Sequence, residues 1–158
     1  MNRRKLAIMG LLVLSAPGLG AFTNKQFDLE YNPAHYINND PAWSLLAVAK
    51  VTADAKAGVY SASFPPELQK LENKPFSITG FMMPLEPSPM TDHFILIRRN
   101  SACPFCPPNS PTEAIEIRSN AKFKYTGEEI SVKGTLKLVP SSADGLFFRL
   151  ESTDVSNE

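Results

Sequence analysis

Two cysteines, Cys103 and Cys106, are the residues whose type and spacing could most directly do chemistry in this chain. They enclose Pro104 and are followed by Pro107 and Pro108. Because proline restricts the backbone, these prolines are expected to hold the loop in a defined shape that brings both sulfurs together. The chain has no third cysteine, so a disulfide within one chain can only join this pair.

Metal binding is one chemistry that this spacing supports. Two thiolates at Cys-x-x-Cys spacing can hold one side of a tetrahedral Zn²⁺ ion, or they can bind Cu(I). His93 is a possible further ligand, but it begins the strand that leads to the loop and lies about 17 Å from the far end of that strand when extended. This separation argues against His93 as a ligand unless another chain or a neighbouring strand completes the site.

Two alternatives use the same sulfurs. In an oxidising compartment, Cys103 and Cys106 would form a structural disulfide that shapes the loop for a partner, with a small entropic gain because the ring is small. Thiol–disulfide exchange normally places the first cysteine at a helix N-terminus, which lowers its pKa. Here Pro107, Pro108 and Pro111 would interrupt such a helix. All three interpretations stay open.

Other catalytic signatures are missing from the sequence. It contains no His-Glu-x-x-His motif, no Gly-x-Ser-x-Gly motif and no phosphate-binding loop. We therefore expect a non-enzymatic binding or accessory protein.

The first residues predict export. A basic segment, Arg3–Lys5, precedes an apolar run, Leu6–Ala16, and small residues follow up to Ala21. This order is typical of a signal peptide, and the run is shorter than the roughly 20 residues needed to span a bilayer. We expect cleavage near Ala21, a periplasmic location and no membrane span in the mature chain.

The charge balance bears on the choice of partner. The whole chain has 16 basic and 16 acidic side chains. Residues 1–21 contain three of the basic side chains and none of the acidic ones, so the mature chain has 13 against 16 and a net charge of −3. A mildly acidic protein gains little binding free energy from releasing the counterions of nucleic-acid phosphates. The charge therefore argues against nucleic acid as a partner.

The rest of the chain predicts a mainly β fold. Residues 22–40 are expected to form an extended arm, and residues 41–158 a barrel domain. Five stretches alternate in strand fashion, with glycines interrupting the first and the fourth; they are Phe76–Met83, His93–Arg98, Ala114–Arg118, Ile130–Leu138 and Leu146–Thr153. Because closure removes exposed strand edges, we expect a small five-stranded OB-like barrel.

Short N-terminal helices are expected to precede the barrel. Asp40 can cap a helix that starts at Pro41 and runs to about Ala49, with Trp43 in the core. A second helix is predicted over Pro66–Glu72. The residues around Val51 and Tyr60 are ambiguous between loop and strand.

Several pieces in a fixed order resemble a bacterial family of small exported proteins described as a domain of unknown function. They are Trp43 with Leu46, Phe64–Leu68, Ile78–Leu85, His93–Ile97, Ala102–Pro108 and Val132–Leu136. The combination of Gly-Phe-Met-Met-Pro-Leu with Cys-Pro-Phe-Cys-Pro-Pro is the most specific part.

The resemblance implies an OB-type barrel and an association of some members with metal-ion transport systems. It therefore implies zinc or copper as the metal and a periplasmic or inner-membrane transport component as the partner. Other members have a single cysteine with a histidine in this loop, which is compatible with a metal site whose ligands vary between Cys and His. The resemblance implies no specific enzymatic activity.

Overall fold

Eight strands and two short α-helices form the part of the protein that the structure describes. The computed structural model describes residues 36–54, 58–102 and 109–157. The helices are α1 (Pro41–Leu46) and α2 (Pro66–Gln69). The strands are β1 (Lys50–Asp54), β2 (Val59–Ser63), β3 (Pro75–Pro84), β4 (Met90–Ile97), β5 (Ala114–Lys124), β6 (Glu129–Leu138), β7 (Ser141–Ser142) and β8 (Phe148–Asn157).

Five of these strands close into a barrel in the order β3-β4-β5-β8-β6. Strands β5 and β8 are parallel, and every other pair in the barrel is antiparallel. This strand order is that of a five-stranded OB-type barrel. The mainly β fold, the closed barrel and its five predicted strands are therefore confirmed.

Alternation along the strands fills the barrel interior. Residues two apart point to the same face of a strand, so one set of apolar side chains turns inward. The core also takes in side chains from both helices and from the chain before β8. Its fully buried members include Trp43, Leu46, Leu68, Ile78, Phe94, Leu96, Ile115, Ile117, Ile130, Val132, Leu136, Phe147, Phe148 and Leu150.

The glycine in the first barrel strand marks a sharp coil. β3 pairs with β6 up to Phe81 and with β4 from Phe81 onward. A Cβ atom at Gly80 would lie 2.7 Å from the carbonyl oxygen of Ile97 and 3.0 Å from a ring carbon of Trp43. Only glycine lets the strand approach its neighbours this closely as it passes from one partner to the other.

The second barrel glycine faces an irregularity in β8. The pairing of β6 with β8 shifts between Lys133 and Thr135, and Ser152 has a positive φ of 52°. A Cβ atom at Gly134 would lie 2.8 Å from the carbonyl oxygen of Glu151. The fourth predicted strand therefore needs glycine because β8 bulges against it.

Helix α1 is fastened to β3. The Asp40 carboxylate accepts from the backbone N–H groups of Ala42 and Thr79, each at 2.8 Å. The indole N–H of Trp43, which is 1% exposed, donates to the carbonyl oxygen of Thr79 at 2.8 Å. The predicted cap and the core position of Trp43 are confirmed, but α1 ends at Leu46 because the chain turns into β1 at Lys50.

A small second sheet accompanies the barrel. Its strand order is β1-β2-β7, and both pairs are antiparallel. β7 lies in the connection between β6 and β8, where Gly145 has a positive φ of 73°. Helix α2 is also shorter than predicted, ending at Gln69.

No helix within residues 36–54, 58–102 and 109–157 has the length and apolar character that crossing a bilayer requires. The predicted signal peptide, residues 1–21, and most of the predicted arm lie outside the described residues.

Candidate functional site

The cysteine loop leaves and rejoins the barrel through a neck between β4 and β5. We define the loop neck as residues 98–102 and 109–113. The Asn109 side chain pairs with the backbone of Arg99 in both directions. Its oxygen accepts from the Arg99 N–H at 2.8 Å, and its amide donates to the Arg99 carbonyl at 3.0 Å. This pairing closes the base of the loop as a backbone ladder would.

A buried glutamate holds the same neck together. Glu113 is 6% exposed, and its carboxylate accepts from Arg98 at 3.1 Å and from Arg99 at 2.5 Å. It also accepts from the Ser110 N–H at 3.0 Å, as part of a capping box that starts a 3₁₀ helix, Pro111–Glu113. One carboxylate thereby joins the outgoing and the returning sides of the loop.

The end of the N-terminal arm supports the neck from outside. Ile37 forms an isolated antiparallel bridge with Arg99. Asn38, which is buried, donates its N–H to the Arg98 carbonyl at 2.9 Å, and the Asn100 N–H donates to the Tyr36 carbonyl at 2.8 Å. The neck is therefore hydrogen-bonded on both sides of the chain leaving β4.

A groove of about 670 Å³ lies beside the loop neck. It lies on the outer face of the barrel. This face carries the strand residues that do not point into the core. We use "the groove" for the cavity lined by Tyr60, Met83, Ile95, Ile97, Arg99, Asn100, Ser101, Asn109, Ser110, Pro111, Ala114, Asp144, Gly145 and Leu146. The loop neck thus supplies one wall of the groove, and the turn before β8 supplies another.

The floor of the groove is a second apolar cluster, separate from the barrel core. Its buried members Ile95 and Ile97 line the groove, and so do Met83 and Leu146, which pack against them. Phe81 is a third buried member of the cluster. β4 is apolar on both faces for this reason, because Phe94 and Leu96 fill the core while Ile95 and Ile97 face the groove. A continuous apolar run is typical of a strand covered on both sides.

A polar cluster continues the same outer face beyond the groove. We call it the face cluster, and it consists of His93, Glu116, Arg118 and Arg149. The Glu116 carboxylate contacts His93 Nε2 at 2.7 Å, Arg118 Nε at 2.9 Å and Arg149 Nε at 2.6 Å. In the sheet, Ile95 of the groove floor lies directly opposite Glu116. The groove and the face cluster are therefore neighbours.

The face cluster changes the acidity of its carboxylate. Burial alone would raise the pKa of Glu116, because a charge is poorly solvated away from water. The hydrogen bonds from Arg149, His93 and Arg118 outweigh burial, and the pKa lies below its ordinary value. Glu116 is therefore a carboxylate at neutral pH and an acceptor for three side chains.

The structure places the predicted site residues as follows. Cys103, Cys106, Pro104, Pro107 and Pro108 lie outside the described residues. His93 lies in the middle of β4, because the strand begins at Met90 and not at His93 as predicted. Its side chain is 43% exposed and bonded to Glu116. Residues 36–54, 58–102 and 109–157 contain no group of three or more His, Cys, Asp or Glu side chains that could hold a metal ion.

The sequence patterns do not identify the residues of the neck and the groove as a site. One signal was present, because Ser110-Pro111-Thr112-Glu113 has the spacing of a capping box. The apolar run Phe94–Ile97 was a second signal for a strand covered on both faces. Nothing local pointed to Glu116 or Arg149, which are 33 positions apart.

Comparisons with known proteins concern the family. A family model described as "Protein of unknown function (DUF3299)" matches residues 39–149. The crystal structure of a DUF3299 family protein from Pseudomonas aeruginosa PAO1 is similar, with 19% sequence identity and a TM-score of 0.47. The alignment covers 60% of this chain and 66% of that chain. No curated protein matches.

Proposed function

The chain belongs to the DUF3299 family, and we propose that it is an exported, non-enzymatic accessory protein that handles a soft metal ion through Cys103 and Cys106. The ion is zinc or copper. The location is the periplasm, reached through the predicted signal peptide, and the partner is a periplasmic or inner-membrane transport component. We expect Pro104, Pro107 and Pro108 to restrict the loop that carries the two cysteines.

The loop neck is the observation that carries this proposal. Both ends of the segment that contains the cysteines are fixed by hydrogen bonds among Arg98, Arg99, Asn109 and Glu113. A metal-binding loop benefits from fixed ends, because less conformational entropy is lost when its thiolates converge on an ion.

The two cysteine ligands suit a metal ion that is transferred to a partner better than one that is bound permanently. Two thiolates satisfy half of the tetrahedral coordination of Zn²⁺, and they suit the soft Cu(I) ion. His93 is engaged by Glu116 in the middle of β4. We propose that the remaining ligands come from the partner, so that the ion is exchanged between the two proteins.

The test is elemental analysis combined with thiol titration on protein purified from the periplasm. We expect one equivalent of zinc or copper and two free thiols, and loss of the metal in Cys103→Ser/Cys106→Ser. His93→Gln is the matched control, because it removes a possible ligand far from the loop and should leave the metal content unchanged. Loss of the metal in His93→Gln would instead make His93 a ligand.

Two outcomes contradict metal handling. Protein with neither metal nor free thiols would mean that Cys103 and Cys106 form a structural disulfide that shapes a partner-binding loop. Turnover of a disulfide substrate that is lost in Cys103→Ser would mean thiol–disulfide exchange.

A further inference from the structure

The groove and the face cluster offer one ligand two kinds of contact on a single surface. Ile95 is the last floor residue on β4 before His93, and residues two apart on a strand share a face about 7 Å apart. Across the sheet, Ile95 is opposite Glu116, and His93 is opposite Arg118. A molecule lying along β4 would pass directly from apolar side chains to basic ones.

The groove itself suits an apolar chain. Met83, Ile95, Ile97 and Leu146 provide its floor. A cavity of about 670 Å³ lies within the size range of small-molecule sites. Tyr60, at 42% exposure, is a large aromatic ring on its rim. Exposed apolar surface of this kind favours a ligand that covers it.

The polar groups of the rim are largely occupied by the protein itself. The Asn109 side chain is paired with the Arg99 backbone. The Asn100 side chain accepts from the Ala102 N–H and donates to the Gly127 carbonyl. These groups are committed to the neck, so the rim is poorly equipped to recognise a polar ligand body or a peptide backbone.

Basic groups predominate at the other end of the surface. In register across the sheet, Glu116 is followed by Arg149 on β8 and Lys137 on β6. The Arg118 side chain is 53% exposed while it contacts Glu116, so about half of it faces solvent. Arg118, Arg149 and Lys137 carry three positive charges. Glu116 and Glu151 carry two negative charges against them. Asp144 is the one acidic side chain among the described groove-lining residues, and it disfavours a carboxylate at the turn before β8.

We infer that the groove binds a small amphiphilic carboxylate, with its alkyl chain on the floor and its carboxylate at His93 and Arg118. The occupant is a free medium-chain fatty acid. This function goes beyond the proposed metal handling and does not depend on the cysteines.

The first experiment is calorimetric titration of the purified protein with octanoate, nonanoate and decanoate below their micelle concentrations. Burial of one methylene group contributes about 0.8 kcal/mol, so each added carbon should tighten binding by about fourfold. Decyltrimethylammonium has the same chain with a positive head group and should bind more weakly than decanoate. Decanol measures the contribution of the chain alone.

Variants then separate the two halves of the surface. Arg118→Gln should weaken decanoate binding by about fivefold and leave decanol unchanged, because the head-group contact is partly exposed. Lys133→Gln removes a positive charge elsewhere on the barrel and is its matched control. Leu146→Asp should abolish binding of both ligands. Tyr60→Ser, on the exposed rim, replaces it if thermal unfolding shows that Leu146→Asp does not fold.

Several outcomes would overturn the inference. Decanoate that does not saturate, or that binds no better than decyltrimethylammonium, removes the fatty acid as occupant. Dimerisation that is lost in Leu146→Asp and unaffected by decanoate assigns the groove to a second copy of the chain. Binding of an apolar peptide that decanoate does not displace assigns it to a partner protein. We expect Cys103→Ser/Cys106→Ser to bind decanoate as the wild type does. This control distinguishes a failure of the fatty-acid proposal from a failure of the metal proposal.

Discussion

Glu113 and Glu116 are two buried glutamates on either side of the start of β5, each bound by two arginines, yet they connect different things. Glu113 joins Arg98, Arg99 and the Ser110 N–H, all within 15 positions of itself. Glu116 joins β4, β5 and β8, and its most distant partner is 33 positions away. The first carboxylate fixes the path of a loop, whereas the second ties finished strands together.

The largest effect is expected when Glu113 is lost. Glu113→Ala removes the carboxylate that accepts from Arg98 and Arg99, and it removes one half of the capping box of the 3₁₀ helix. Because removing one partner of a buried pair is costly and both arginines are partly exposed, we expect the free energy of unfolding to fall by about 3 kcal/mol. Urea denaturation measures it. Glu128→Ala, at an exposed position, should change it by less than about 0.5 kcal/mol, and an equal effect of both variants would contradict the role of Glu113.

Glu116→Gln is expected to have the next largest effect. The amide oxygen still accepts hydrogen bonds, but the charge that attracts Arg118 and Arg149 is gone. The free energy of unfolding should fall by about 1 to 2 kcal/mol, with the loop neck unaffected. Urea denaturation gives the loss, and hydrogen exchange should locate it in β5 and β8. Faster exchange at the loop neck would show that the two glutamates are not independent.

Asn109→Ala should act locally. It removes both hydrogen bonds to the Arg99 backbone, and we expect a loss of about 1 kcal/mol, concentrated in opening of the neck. Limited proteolysis between residues 99 and 110 is the measurement. Asn109→Asp keeps the acceptor for the Arg99 N–H and loses the donor, so its cleavage should be intermediate. Cleavage of Asn109→Asp at the rate of Asn109→Ala would assign the effect to the donor alone.

The smallest expected effect is on pH dependence. The folded-state pKa of Glu116 is lowered, mainly by Arg149 and His93 acting against burial. Its contribution to stability is therefore full above the unfolded pKa of about 4.3 and is lost as the pH falls through the lower folded value. The stability difference between wild type and Glu116→Gln should shrink between pH 7 and pH 3. A difference that grows in acid would contradict the lowered pKa.

Much of the barrel could be predicted because its strands carry their own pattern. Ile130–Leu138 alternates between apolar and polar residues, and His93–Arg98 contains a continuous apolar run. Both patterns are typical of strands. The glycine at position 80 indicates the coil in the first barrel strand. The β1-β2-β7 sheet lacks such a pattern. Thr52 and Ser61 are exposed, and β7 has two residues, so these strands are defined by their partners rather than by burial.

The site could be predicted only in part. The spacing of Cys103 and Cys106 is visible in the sequence, and so is the capping box at Ser110. The groove is different because its floor brings Met83 and Leu146 together from opposite parts of the chain. No pattern of neighbouring residues can indicate a contact between positions so far apart in the sequence.

The amino-acid sequence by itself determined which residues share a face of each strand, where the chain turns, and that two cysteines occupy one proline-rich loop. The tertiary structure alone decided which faces lie side by side. Closure of the barrel places Arg149 of β8 beside Glu116 of β5 and joins the apolar floor to the loop neck. The physical reason is that alternation acts between neighbours in the chain, whereas pairing between strands depends on the whole folded barrel.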